Sequence, residues 1–281
     1  MSPIHDQTYR RYEGTRAPLG RAWTVILSAG LRAVTARKFL LIGLILAWIP
    51  FIVRAVQIYA VLNFNGLQRA LPVDAQMFRQ FIEQQGIFVF FVTIYVGAGL
   101  IANDRRANAL QIYLSKPLLR MEYIGGKLAV LASYLALVTL VPALLLIVVQ
   151  VLFSGKFDFV KENAFVIPAV TLACLIRIIV PAFTMLALSS LSKNSRYVGV
   201  LFTGIIFFTD AMFAVLGIIT GSTRVAWVSI TANLDQVTDV IFRQPPRYET
   251  PVVVSFLVLA GLVVVSMSVL ERRVRGVEVV S

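Results

Sequence analysis

Few side chains in this 281-residue sequence suit covalent or metal chemistry. There is one histidine, His5, and one cysteine, Cys174. A zinc site needs about three or four ligands, and a serine nucleophile needs a histidine beside it. A lone His in a polar N-terminal stretch and a lone Cys in an apolar block meet neither need. One cysteine also forms no internal disulfide. The residues that stand out are two charges in apolar surroundings, Arg177 and Asp210. Charge so placed demands a partner or a wet cavity.

Phosphate chemistry is the other candidate. A P-loop reads G-x-x-x-x-G-K-[ST]. The Gly-Lys pairs here are Gly126-Lys127 and Gly155-Lys156, followed by Leu128 and Phe157. Met121 and Gln150 stand where the upstream glycine belongs. No catalytic constellation, metal site or cofactor is therefore expected in this chain.

The elements that carry these residues follow from composition. The chain is 58% hydrophobic and 14% charged, with a mean hydropathy of +0.83. Soluble domains run at about 45–50% apolar and about 25% charged. A soluble enzyme, a disordered tail and a disulfide scaffold are excluded. The expected class is all-α: a polytopic membrane protein with six transmembrane helices and an N-terminal interfacial helix. Spans of the roughly 20 residues that cross a bilayer are expected at 39–62, 86–102, 128–153, 165–191, 198–219 and 252–270. They form one transmembrane domain, 39–270, between an N-terminal segment, 1–38, and a tail, 271–281. Pro142, Pro168 and Pro181 are expected to kink spans 3 and 4. Residues 1–17 are polar and lack the apolar core of a signal peptide.

Within 18–38, Trp23, Ile26, Leu27, Gly30, Leu31 and Val34 fall on one helical face, with Arg21, Ser28, Arg32 and Thr35 opposite. This basic amphipathic pattern predicts a helix lying in the membrane interface. Packing of the same stripe on the protein is the plainer alternative. The net charge is +12. No basic stretch is interleaved with aromatics, so nucleic acid is not expected; basic loops against anionic lipid are. The N-terminal segment, the 2–3 and 4–5 connections and the tail hold 17 Lys and Arg, against 7 in the other loops. The positive-inside rule then predicts a multi-pass protein with both termini cytoplasmic. A plasma (inner) membrane is the default.

The 103–127 connection is the most informative loop. Leu110, Ile112, Tyr113 and Leu114 make an apolar patch among Asp104, Arg105, Arg106 and Arg120, and Pro117 breaks the helix. Such a patch fits docking another protein or packing on its own bundle. In the loop, Leu110, Leu114, Ser115, Pro117, Arg120 and Lys127 are in register with the first cytoplasmic loop of type-2 ATP-binding-cassette (ABC) transporter permeases, and the chain resembles that family. Asp104 stands at the family's acidic position, and Asn108-Ala109 replaces its usual Gly-Thr. The resemblance implies a permease subunit of an exporter with a separate ATPase subunit that binds ATP and Mg. Asp104, Arg105, Arg106, Leu110, Tyr113, Leu114, Pro117 and Arg120 would contact that ATPase. Trp23, Ile26, Leu27 and Leu31 would form the family's elbow helix, and a second permease half, identical or not, would complete the assembly.

Helical rise places Arg177 and Asp210 at the same depth, about 18–21 Å from the short 4–5 turn. An Arg177–Asp210 ion pair is expected, either as a clamp or as part of a path. An ion-coupled carrier using this pair is the alternative function. Arg54, nearer the end of span 1, can snorkel. In the 220–251 loop, Trp227, Ile230, Leu234, Val237 and Ile241 predict an amphipathic helix with Asp235 and Asp239 on its polar side; the resemblance implies that this segment dips back into the membrane before the last span.

Overall fold

The computed structural model describes residues 22–36, 38–64, 71–109, 119–155 and 163–274. Every regular element among the described residues is helical. Six helices are long and apolar enough to cross a membrane: Lys38–Asn63, Ala75–Arg106, Arg120–Ser154, Val166–Leu191, Ser195–Thr220 and Val252–Arg273. The chain is a polytopic helical membrane protein.

Spans 1 to 3 are jointed. α1 (Ala22–Thr35) leads into span 1, which is α2 (Lys38–Ala47) and α3 (Ile49–Asn63). They meet at Trp48, where Pro50 opens the first turn of α3 and has no N–H to continue the ladder. Span 2 holds α4 (Ala75–Gln84), α5 (Gly86–Val92), a π-helical turn (Thr93–Gly97) and α6 (Ala102–Arg106). Span 3 is α7 (Arg120–Val138) and α8 (Leu140–Ser154), joined at Thr139. Span 4 is α9 (Val166–Leu191), with Pro181 in its interior. Pro181 cannot bond to the carbonyl four residues back, and that carbonyl belongs to Arg177. Span 5, α10 (Ser195–Thr220), and span 6, α12 (Val252–Arg273), are continuous. Spans 3 and 5 end at Gly155 and Gly221, both with φ of 64°, the left-handed stop that glycine accepts most readily.

Three expectations need correcting. Pro168 sits in the first turn of α9, where a missing N–H is harmless, so it kinks no helix interior, whereas Pro142 falls at the span 3 joint: it cannot donate to the Val138 carbonyl, and the helix breaks at Thr139. Span 2 begins at Ala75, not Gly86; the stretch read as loop contains α4, capped by the Asp74 carboxylate accepting from the Met77 N–H at 3.0 Å. The outer helix does not start at Trp227. Thr223–Val228 is a 3-10 turn, and α11 (Ile230–Ile241) begins after it, with the Ser229 hydroxyl accepting from the Ala232 N–H at 2.9 Å.

The buried side chains form two main cores. One, near the described termini, joins Val34, Leu40, Tyr123, Leu131, Met185 and Leu270. The other joins Ile58, Phe78, Phe81, Leu146, Cys174 and Phe242 at the far end. Leu140, beside the span 3 joint, packs against both. At a similar level the Gln85 side-chain amide donates to the Ala47 carbonyl at 3.1 Å, tying the joint of span 2 to that of span 1.

Candidate functional site

The π turn at Thr93–Gly97 and the break through Ile101 interrupt the backbone ladder of span 2. The N–H groups of Ile101 and Ala102 consequently lack helical partners, and buried donors must be satisfied. Span 4 supplies the acceptor. The buried Ser189 hydroxyl accepts from Ile101 at 3.1 Å and Ala102 at 3.0 Å, and donates to the Ala98 carbonyl at 2.9 Å. Ser189→Ala strands three backbone groups, so a stability loss of about 1–3 kcal/mol is expected in detergent melts. A variant as stable as the parent would show that span 4 does not cap span 2.

The two roots of the 107–119 connection are tied to the bundle. The Asp104 carboxylate accepts from the Tyr123 hydroxyl at 2.7 Å and pairs with Lys127 at 2.7 Å. This bridges the end of span 2 to the start of span 3. Arg105 donates to the Ser190 carbonyl of span 4. Glu122 accepts from the Leu119 N–H at 3.1 Å and the Ala22 N–H at 3.3 Å, fastening α1 to the same root. Asp104 and Arg105, expected around an outward patch, are thus engaged with the bundle, whereas Arg106 and Arg120 are exposed. Leu110, Tyr113, Leu114 and Pro117 lie outside the described residues. Asn108 has φ of 52°, a left-handed conformation that asparagine tolerates better than most residues after glycine.

α1 lies along α7. Gly30 faces Val130, and Gly126 faces Ile26 and the Trp23 carbonyl. Ile26, Leu27 and Leu31 pack on the core, while Trp23 stays 41% exposed. The Tyr134 hydroxyl donates to the Leu31 carbonyl at 3.0 Å. The apolar stripe therefore faces protein, and Trp23 and Val25 remain open on the outside.

Arg177 does not pair with Asp210. Its guanidinium meets the Asp235 carboxylate of α11 at 2.5 Å and donates to the Thr238 hydroxyl at 3.2 Å. Asp210 instead accepts from the hydroxyls of Ser229 at 2.6 Å and Thr231 at 3.1 Å. α11 folds back into the bundle and reaches both residues. Its polar face is accordingly the inner one: Asn233, Asp235, Gln236 and Asp239 are buried.

Asp235 belongs to a larger cluster. Asp239 accepts from Arg79 at 2.7 Å and from Arg247 at 2.7 and 2.9 Å. Glu83 pairs with Arg247 at 3.0 Å and with Arg79 at 3.2 Å. Arg247 also lies 3.5 Å from Asp235. Three arginines and three carboxylates, drawn from α4, α9, α11 and the segment before α12, thus neutralise one another. Burial pushes the Asp235 carboxyl up, outweighing the pull of Arg177 and Arg247. Asp239 and Glu83 hold the Arg247 guanidinium well above its usual value. With every carboxylate engaged, the cluster acts as a clamp on the far end. A cavity of ≈ 300 Å³ opens beside it, floored by Glu83, Arg177 and Asp235 and walled by Phe90, Phe202 and Leu234.

No protein-family model and no curated protein matches the chain.

Sequence reasoning found Arg177, Asp210 and the loop roots. It missed Arg79, Glu83 and Arg247, and it placed Asp235 and Asp239 on the polar side of their helix without showing that this side faces inward. A usable signal was present in Asp74, a helix cap, followed by Met77, Phe78, Phe81 and Ile82 at helical spacing. Arg79 and Glu83 sit four residues apart on that helix. Arg54, expected to snorkel, instead donates to Gln57 at 2.8 Å and to Gln80 of α4 at 3.4 Å.

Proposed function

We propose that this chain is the membrane subunit of an ABC transporter, an exporter moved by a separate ATPase. The observation that carries the reading is the tying of the 107–119 connection at both roots. A force applied to that connection passes through Asp104 and Lys127 to spans 2 and 3, through Arg105 to span 4, and through Glu122 to α1. A loop built only to join two helices has no need of such ties. The left-handed Asn108 adds support, because it occupies the position where the resembled family carries glycine. The lack of a P-loop motif is consistent with ATP binding in another chain. The exposed apolar flank in the far half of α10 (Phe207, Phe208, Val215 and Ile218) leaves room for a second permease half. Nothing covalent occurs here; the ATPase biases the bundle by binding its two states unequally.

The test is recovery of the tagged chain from its native membrane, with identification of what travels with it. A P-loop ATPase should be retained, and Leu110→Asp with Leu114→Asp should reduce its recovery about ten-fold or more, since charges in an apolar contact cost about 1–3 kcal/mol each. Unaltered recovery in that variant would remove the proposed contact. Cargo movement by the purified chain alone, driven by an ion gradient, would instead favour the carrier reading.

A further inference from the structure

Two cavities adjoin at the termini-side end of spans 2 and 5. The first, ≈ 480 Å³, is lined by Arg106, Lys193, Asn194, Ser195 and Arg196. The second, ≈ 570 Å³, shares Ser195 and Arg196 and continues between the two spans along Ile94, Tyr95, Ala98 and Val200. The pair therefore forms one cleft with two chemistries. Its mouth carries three cationic side chains, and among the described residues no carboxylate lines either part. The nearest acid along the chain, Asp104, is occupied by Lys127 and Tyr123, and the neighbouring Arg105 is turned to the Ser190 carbonyl. The inner part is an apolar groove, narrowed where Gly199 approaches Ile94; a Cβ there would lie 3.2 Å from the Ile94 methyl.

We infer that this cleft holds an anionic phospholipid, its phosphate among Arg106, Lys193 and Arg196 and one acyl chain in the groove. Basic pockets between transmembrane helices recognise anionic head groups by this charge complementarity. A free phosphate would use the mouth and leave the groove empty. A zwitterionic lipid would use the groove and leave the three cations without a net counter-charge. Only an anionic amphiphile satisfies both halves. The inference concerns the bilayer around the protein and is independent of the transport reading.

The experiment uses the full chain purified in mild detergent. It is incubated with phosphatidylglycerol or with phosphatidylcholine of the same acyl chains, and bound lipid is counted by native mass spectrometry. Phosphatidylglycerol should be retained in clear preference. Arg106→Gln, Lys193→Gln and Arg196→Gln, all at exposed positions, should each lower its retention about five-fold. Val200→Asn, which places an uncharged polar group at the exposed lip of the groove, should lower it with the mouth's charges intact. Equal retention of the two lipids overturns the inference. So does a phosphatidylglycerol signal indifferent to Val200→Asn. Complete displacement of the lipid by inorganic phosphate would mark a site for the free ion and overturn it as well.

Discussion

Arg177→Leu is expected to destabilise the protein by about 3–5 kcal/mol, because it abandons a buried carboxylate. Asp235 is 8% exposed and would keep only Arg247, 3.5 Å away and already committed to Asp239 and Glu83. Thr238 would also lose its charged donor. The double variant Arg177→Leu, Asp235→Leu should recover much of the loss, since it removes both charges and leaves apolar groups that pack. Arg177→Leu combined with Asp210→Asn should show additive losses, because those residues have separate partners. The deficit has a definite pH dependence. Burial already raises the Asp235 carboxyl, and losing Arg177 raises it further. A carboxyl raised in the folded state is tolerated at low pH, and stability is lost as pH climbs through its folded value. The Arg177→Leu deficit should therefore shrink as the pH falls. Melting curves of Arg177→Leu, Asp210→Asn and the two double variants at two pH values decide the matter. Rescue by Asp210→Asn in place of Asp235→Leu would restore the pairing first read from depth alone.

The second large effect lies in two adjacent glycines. Gly125 has open space around its missing Cβ, whereas a Cβ on Gly126 would lie 2.8 Å from Ile26 Cβ and 3.2 Å from the Trp23 carbonyl. Neither neighbour is the loose end of a long side chain, so α1 itself must move. Gly126→Ala is expected to cost about 1–3 kcal/mol and to speed tryptic cleavage at Arg32 on the loosened helix. Gly125→Ala should be neutral or stabilise by up to about 1 kcal/mol through helix propensity. Gly30→Ala, whose Cβ would meet Val130 Cγ2 at 2.5 Å, should behave like Gly126→Ala. Identical behaviour of the Gly125 and Gly126 variants would mean that α1 does not rest on α7 as described.

Much of this architecture is written in hydropathy. Spans 3 to 6 are apolar over enough residues that a bilayer, rather than fine packing, dictates their form. The N-terminal helix was equally legible as a stripe. The stripe could not say whether lipid or α7 covers it, since both are apolar. α4 was harder to read, because its buried face is only one side of a helix rich in Gln, Arg and Glu. The partner of Arg177 was illegible for a different reason. Distance along the chain identifies the adjacent span, but Asp235 arrives from a segment that turns back into the protein. The usual expectation that polar faces look outward fails for α11, whose counter-charges come from α4, α9 and Arg247 inside the bundle. For the 103–127 loop the sequence supplied the anchoring residues but not their direction. Asp104 reads equally well as an outward charge until Lys127 and Tyr123 are seen to close on it.

Spans 1 to 3 are jointed at Trp48, Gln85 and Thr139, with Gln85 bonded across to Ala47, while spans 5 and 6 run without interruption. The molecule is consequently a frame of jointed spans beside two stiff struts. Its far end is riveted by six mutually cancelling charges. α10, with 26 residues, is about 39 Å long. Pivoting it by about 10° carries its far tip sideways by about 7 Å. Small strokes at one face thus emerge magnified at the other, through levers that need not bend.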